Sequence, residues 1–153
     1  MSRAWKFGIG AALVMALALV LVWREFRSDA ASDQDPVAMA AAGETLYVVH
    51  CAQCHGGALE GQPNWRERKP DGRLPAPPHD HTGHTWHHPD EQLFAITKHG
   101  LGPLAPAGYI SDMPAYEKVL SDQQIRAVLA FIKSRWPEEI RARQAETTRR
   151  AGG

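Results

Sequence analysis

The first hydrophobic pattern in the chain is a run without a charged residue, from Phe7 to Trp23. As an α-helix at ~1.5 Å per residue, this run is about 25 Å long, close to the ~30 Å thickness of a bilayer core. Lys6 precedes it and Arg24 follows it, so positive side chains flank both ends where they reach the membrane interface. The pattern predicts one transmembrane helix within residues 1–27, which serves as an N-terminal membrane anchor.

A signal peptide is the competing interpretation of this segment. Cleavage needs small residues at the −3 and −1 positions close behind the apolar run, and residues 23–27 include none. The first small cluster, Ala30-Ala31-Ser32, lies well downstream, so an uncleaved segment is favoured. The positive charges before the run slightly outweigh those behind it. This bias predicts that the N-terminus faces the cytoplasm and that the rest of the chain lies outside it.

A folded domain is predicted to begin at Val37. The preceding segment, 28–36, is small and polar and lacks an apolar period, as is typical of a linker. A helical period then runs from Val37 to His50 and leads directly into a pair of cysteines. Its apolar or small side is formed by Val37, Ala40, Ala41, Leu46 and Val49. Residues 56–89 are rich in glycine, proline and histidine and have almost no period, which predicts a long loop.

Two further helices are predicted in the second half of the domain. Pro89 suits the first position of one of them, and Gly100 ends it. The other begins with a capping-box pattern from Ser121 to Gln124 and ends before Pro137. Its apolar side is formed by Ile125, Val128, Leu129 and Ile132.

The chain has no long β-branched alternation and no internal repeat, so the domain is predicted to be mostly α. Its expected bounds are residues 37–136. Residues 137–153 form a polar C-terminal tail that is helix-prone but has almost no apolar side chain. We therefore expect this tail to be solvated and frayed.

Composition narrows the class of protein. The 153 residues fit one ordinary domain plus an additional segment. An apolar fraction of 44% with 22% charged residues argues against intrinsic disorder and a collagen-like fibre. Acidic and basic residues number 17 each, so a strongly basic nucleic-acid binder is excluded. The only two cysteines, Cys51 and Cys54, are too few for a disulfide-stapled mini-protein.

These cysteines and the histidine behind them carry the candidate chemistry, in the C-x-x-C-H motif Cys51-Ala52-Gln53-Cys54-His55. Two thiols at this spacing on a helical turn each add across one vinyl group of haem, and His55 presents its imidazole to the iron as the proximal ligand. A thioredoxin-like dithiol would follow a strand, and zinc would need more ligands at finger-like spacing. We therefore expect one covalently bound haem c, with its iron, per chain.

The second axial ligand is expected to be Met113. Of the 4 methionines, Met1 and Met15 lie in or before the predicted membrane helix, and Met39 lies ~18 Å before the motif on the first helix. Pro114 pushes Met113 toward an extended backbone, from which its thioether projects sideways. A bis-histidine site with a lower potential is the alternative. The rival histidines are His79, His81, His84, His87, His88 and His99.

The chain resembles the class I mono-haem c-type cytochromes and looks like a bacterial, membrane-anchored member. The similarity covers residues 37–136. It rests on Gly43 and Tyr47 before the motif, on the motif with its two following glycines, on the segment from Met113 to Tyr116, and on the terminal helix. The resemblance implies a cytochrome c fold, in which three or more helices wrap around a covalently bound haem, after one N-terminal transmembrane helix.

The same resemblance implies two contacts. In that family the first and last helices cross closely, which here places Gly43 and Tyr47 against Val128 and Phe131, with Gly43 letting the backbones approach. The family also fixes its haem histidine through a proline carbonyl downstream. Three prolines are able to serve: Pro75, Pro77 and Pro78.

The loop after the motif is longer than in the smallest members of that family. Its five histidines suggest a second metal site, such as a copper site. These are His79, His81, His84, His87 and His88. The competing interpretation is that some contact the haem propionates and others are solvated. It is favoured because the spacing of histidines in a proline-rich loop enforces no ligand geometry.

With His55 and Met113 on the iron, no open site is left for a substrate, so the expected function is one-electron transfer and not enzymatic catalysis. We expect a single-pass protein of the bacterial inner membrane with its haem domain in the periplasm. Its expected partners are membrane redox complexes or other periplasmic electron carriers, and no nucleic acid. The alternatives are a haem-based sensor or peroxidase-like unit with a displaceable sixth ligand, and a histidine-rich copper carrier.

Overall fold

A computed structural model of the chain describes residue 15, residues 19–21 and residues 35–152. The chain divides into two units, Met1–Ala38 and Met39–Gly153. Most of the predicted anchor and linker lies outside the described residues. Among the residues that are described, none belongs to a helix long and apolar enough to cross a membrane.

Residues 35–152 form helices joined by irregular segments, and this part of the chain contains no strand, which confirms the prediction of a mostly α fold. The helices are α1 (Pro36–His50), α2 (Ala52–His55), a 3₁₀ helix (Thr85–His87), α3 (Asp90–His99), α4 (Asp122–Ser134) and α5 (Glu138–Ala151). The helix predicted before the cysteines thus begins within one residue of its expected start and ends where expected.

The close approach between α1 and α4 is built around Gly43. A Cβ atom at Gly43 would overlap the carbonyl oxygen of Ala127, so only glycine fits there without moving a backbone. Tyr47, one turn further along α1, is fully buried, and its ring centroid lies 5.3 Å from that of Phe131. Tyr47, Phe131 and Val128 belong to one hydrophobic core. The predicted crossing of the first and last core helices is confirmed, with Ala127 as the residue that faces Gly43.

The predicted termini of α3 and α4 match the structure closely. Pro89 is the N-cap of α3 and not its first helical residue, and Gly100 ends α3 with a φ of 73°, a conformation that favours glycine. At α4, Ser121 and Gln124 form the predicted capping box through reciprocal bonds between side chain and backbone. A cap of this kind stabilises a helix by about 1 kcal/mol. It fixes where α4 begins.

The C-terminal tail differs from the prediction of a solvated, frayed segment, because it forms helix α5. Ile140 on this helix is 8% exposed and Gln144 is fully buried. The Gln144 Nε2 donates to Asp90 Oδ1 over 2.6 Å, and the Asp90 N–H donates to Thr148 Oγ1 over 3.1 Å. The sequence of this segment shows no apolar side that would predict its packing, because the packing rests on one apolar residue and one buried amide.

The loop after the motif is irregular, as predicted, and hydrogen bonds order it. The Gly61 N–H donates to the carbonyl of His55 over 2.7 Å, and the His79 N–H donates to the carbonyl of Leu59 over 2.8 Å. Leu59 is buried in the core. The Trp136 Nε1–H donates to the carbonyl of His79 over 2.7 Å. The loop is therefore held against both the motif and the chain just after α4.

Candidate functional site

A cavity of about 490 Å³ lies within the unit Met39–Gly153. Cys51, Cys54 and His55 line it, and so does Met113 from the segment before α4. Much of the remaining wall is apolar, with Leu74, Leu93, Ile96, Leu101, Val128 and Ile132. This volume and wall are typical of a site for a small molecule or cofactor. The structure thus brings all four predicted site residues to one cavity.

Cys51 lies on the turn between α1 and α2, and Cys54 lies within α2. The N–H groups of Cys54 and His55 both donate to the carbonyl of Cys51, over 3.1 and 2.9 Å. Cys51 is half-buried, Cys54 is exposed, and both are free thiols. Burial, followed by the charge of Cys54, raises the pKa of Cys51 to about 11. A reactive redox pair needs a thiol with a lowered pKa, so this environment does not suit a redox dithiol.

His55 is buried and oriented by one hydrogen bond. Its Nδ1 lies 2.9 Å from the carbonyl oxygen of Pro77, which identifies this proline among the three candidates. Because a carbonyl only accepts, Nδ1 carries the proton and Nε2 keeps its lone pair. Burial lowers the pKa of His55, and the bond to Pro77 only partly opposes this effect. A neutral imidazole with a free Nε2 is the form that binds a metal.

His79 lies beside His55 and not opposite it. The two rings stack with centroids 4.0 Å apart at an angle of 24°. The Nδ1 of His79 lies 2.8 Å from Thr85 Oγ1. Burial, followed by the neighbouring His55 and His84, lowers the pKa of His79 well below its usual value, so the ring is neutral. Ligands trans to each other on one iron lie on opposite sides of it, so a ring stacked on His55 does not occupy the trans position.

The segment carrying Met113 is tied to the end of α1. The Tyr116 hydroxyl donates to the carbonyl of His50 over 2.6 Å, next to the first cysteine. The Tyr116 N–H donates to the carbonyl of Thr97 in α3 over 3.2 Å. Met113 itself donates its N–H to Ser111 Oγ over 3.1 Å. These bonds explain how a residue far along the chain reaches the cavity of the motif.

Three of the six rival histidines line the cavity and three do not. The wall contains His79, His84 and His88, and not His81, His87 or His99. The ring of His84 stacks on Trp65 with centroids 5.4 Å apart, and the Nδ1 of His88 lies 3.3 Å from Gln92 Oε1. Besides His79, each histidine on the wall therefore contacts a neighbouring side chain.

The proposed second metal site receives no support from the arrangement of the loop. Within residues 35–152, no group of three histidine, cysteine or acidic side chains is placed to hold a metal ion. The rings of His84 and His88 meet edge to face at 5.4 Å, and His87 stacks on Trp86 at 3.7 Å. These rings therefore pack as aromatic groups.

Sequence reasoning missed two contacts that shape the site. Tyr116 was part of a recognised segment, but no role followed from its position, because its bond to His50 links distant parts of the chain. The stacking of His79 on His55 was also missed. The one available signal was that His79 follows Pro77 and Pro78, so the same turn that brings a proline carbonyl to His55 also brings this ring.

The groups around the cavity fit a covalently bound haem. Two free thiols stand at the spacing that thioether attachment requires, beside a neutral imidazole whose Nε2 is free. A thioether lies on the wall of the same cavity, and the apolar wall suits a macrocycle.

A comparison with known families matches residues 38–132 to the family described as "Cytochrome C oxidase, cbb3-type, subunit III". Comparisons with curated proteins and with solved structures give no match.

Proposed function

Because the chain belongs to the family described as cytochrome c oxidase, cbb3-type, subunit III, we propose that it is a one-electron carrier whose haem iron is bound by His55 and Met113. The match over residues 38–132 supports a mono-haem c-type cytochrome with covalently bound haem c, and haem-based electron transfer in general. The axial ligands, the attachment residues and the location are the content of our proposal.

Cys51 and Cys54 are the proposed attachment residues. They are the only cysteines of the chain, so two thioethers account for one haem. When bound, the haem supplies an iron that takes up and releases one electron. The helical turn from Cys51 to His55 holds both cysteines in place, since the N–H groups of Cys54 and His55 donate to the same Cys51 carbonyl. The role of this turn is to orient the group and prevent its loss.

The observation that carries the proposal is that Met113, distant in sequence from the motif, lines the same cavity as both cysteines and His55. A methionine in an apolar wall is often a flexible core filler. Here, however, the bond from Tyr116 to His50 draws the methionine segment toward the motif. Because this hydrogen bond joins the methionine segment to the residue before Cys51, it favours Met113 as an iron ligand over Met113 as a core filler.

The neighbouring histidines support Met113 as the sixth ligand. His79 is stacked on His55, so it would lie on the same side of an iron bound by His55. His84 and His88 also line the cavity, where they contact Trp65 and Gln92, and they are the histidines that compete with Met113 for the sixth position. With His55 and Met113 both bound, the iron has no open coordination position, which favours an electron carrier over a haem sensor or a peroxidase-like unit.

The proposed location follows from the segment 7–23 together with the family. A cytochrome c domain of this type suggests an extracytoplasmic haem domain and a membrane redox complex as partner in general. We place the anchor in the bacterial inner membrane and the haem domain in the periplasm. There the anchor keeps the carrier close to membrane redox complexes and other periplasmic electron carriers.

The proposal is tested by replacing Met113 in the haem-loaded full chain. Met113→Ala should open the sixth position, so that the reduced protein binds carbon monoxide, whereas the wild-type protein does not. The reduction potential should fall by on the order of 0.1 V, within the ~0.8 V range over which axial ligands set it. Carbon monoxide difference spectra and a redox titration measure both effects.

Met39→Ala is the matched control, since Met39 is a half-buried methionine on α1 outside the cavity wall. It should leave carbon monoxide binding and potential as in the wild type. Carbon monoxide binding by the wild-type protein, together with an unchanged potential in Met113→Ala, would move the sensor or enzyme class ahead of the electron carrier.

A further inference from the structure

Asp112, the residue directly before Met113, contacts two cations of the loop that follows the motif. One carboxylate oxygen lies 3.3 Å from Lys69 Nζ, and the other lies 3.1 Å from Arg73 Nε. Arg73 also pairs with Asp71 of its own loop at 3.3 Å. Each oxygen of Asp112 thus lies within ion-pair distance of a different positive side chain.

The chain before Asp112 has few other ties to the rest of the domain. Its described hydrogen bonds are local, such as those from Ala105 to Leu101 and from Tyr109 to Pro106. The guanidinium of Arg68 lies 5.5 Å from the centre of the Tyr109 ring. The same loop therefore supplies all the charged contacts described for this segment, and the ion pairs at Asp112 are the nearest to Met113.

We infer that Asp112, paired with Lys69 and Arg73, is a positioning residue that keeps Met113 on the iron. This inference rests on the proposed function. The physical reason is connectivity: when both carboxylate oxygens are held, the backbone beside Met113 loses freedom, so its thioether has fewer positions away from the cavity. Tyr116 holds the other side of the same segment.

The exposure of these groups makes the effect modest and sensitive to salt. The side chains of Lys69, Arg73 and Asp112 are 39%, 40% and 54% exposed. Exposed ion pairs are weak singly, and geometry or a network raises their contribution. Because salt screens charges at the surface, at about 1 M the Debye length is only ~3 Å and most of the effect should disappear.

The test measures how well added imidazole displaces Met113 in the oxidised, haem-loaded chain, followed by absorption. At low salt, Asp112→Asn should bind imidazole about 5-fold more tightly than the wild type, the size expected for an exposed network. At about 1 M salt the two affinities should converge, because the wild type then weakens its hold on Met113. A role in global stability alone would change the unfolding free energy and leave imidazole affinity unchanged.

Three further single variants and one double variant sharpen the test. Glu67→Gln removes an exposed carboxylate from the same loop and changes net charge equally, so it should bind imidazole as the wild type does. Arg73→Gln should weaken retention of Met113. The double variant with Asp112→Asn should show less than the sum of the two single effects, since both substitutions remove the same ion pair between Arg73 and Asp112. Asp112→Glu should restore part of the wild-type behaviour.

The failure of the inference differs from the failure of the proposed function. If oxidised wild-type protein lacks a sulfur-to-iron band in the near infrared, Met113 is no ligand and both ideas fall. If that band is present but Asp112→Asn and the wild type bind imidazole equally at low salt, only the positioning role is overturned. If Glu67→Gln and Asp112→Asn raised imidazole affinity equally, the cause would be a general charge effect. That result would also overturn the positioning role of Asp112.

Discussion

The cysteine side of the cavity is built from helical turns and buried bonds, whereas the methionine side is an irregular segment held mainly at the surface. On the first side, Cys51 and Cys54 share a hydrogen-bonded turn, and the Nδ1 of buried His55 lies 2.9 Å from Pro77. On the second, Met113 lies between Asp112, which is paired with exposed cations, and Tyr116, which is bonded to His50.

This difference bears on where the site is able to open. Local opening is easiest where few buried contacts and many exposed ones hold the chain. The cysteine side meets the helix crossing at Tyr47, which packs on Phe131 in the core. We therefore expect the sixth position to exchange ligands long before the cysteine side moves, and each prediction below perturbs one side.

The largest effect should come from breaking the cysteine side. Cys51→Ala removes one proposed thioether, so haem retention after acid–acetone extraction should fall strongly or be lost. Because haem would supply much of the core of so small a domain, chain without haem should be largely unfolded, as circular dichroism measures. Gln53→Ala, an exposed change inside the motif, is the control and should retain haem.

Free release of haem from the wild-type chain would show that the cysteines do not attach it. A compact chain without haem would contradict the part of this prediction that concerns folding.

The next effect should come from the helix crossing that supports the cysteine side. Gly43→Ala places a methyl group against the Ala127 carbonyl, and the helices must separate. The free energy of unfolding should fall by about 2 kcal/mol despite the better helix propensity of alanine. Gly102→Ala, where an added Cβ meets nothing within 4 Å, should change it by less than about 0.5 kcal/mol. Denaturant titrations of both variants measure the free energy of unfolding. Equal changes in Gly43→Ala and Gly102→Ala would refute the close approach of the two helices.

The features of the fold that could be predicted from the sequence are those encoded by residues close together in the chain. The capping box at Ser121 and Gln124 and the stop at Gly100 are encoded in adjacent residues, and both were predicted at the right positions. Helix α5 was misread because its packing rests on Ile140 and on the buried amide of Gln144, which no apolar period reveals.

The candidate site was predictable in its parts but not in its contacts. Spacing alone pointed to the motif, and elimination pointed to Met113, which does line the cavity. The choice of Pro77 over its neighbouring prolines depends on the path of an irregular loop, which propensity does not determine. The stacking of His79 on His55 depends on the same path.

A smaller effect should come from loosening the methionine side at Tyr116. Tyr116→Phe removes the hydroxyl that donates to the carbonyl of His50 and leaves that carbonyl without this donor. A loss of about 1 kcal/mol should raise imidazole binding by the oxidised protein about 5-fold, with haem retention unchanged. Tyr109→Phe keeps the ring that faces Arg68 and should match the wild type. Looser haem attachment in Tyr116→Phe would contradict the separation of the two sides.

The central claim, that Met113 binds the iron, is tested most directly by nuclear magnetic resonance of the reduced chain with labelled methionine methyl groups. The chain has 4 methionines, so at most four methyl signals are expected. The methyl group of a methionine whose sulfur binds the iron would lie over the face of the porphyrin, where the ring current would move its signal far upfield. We predict one such signal, absent in Met113→Leu and present in Met39→Leu. No upfield methyl signal in the wild type, or one that persists in Met113→Leu, would contradict it.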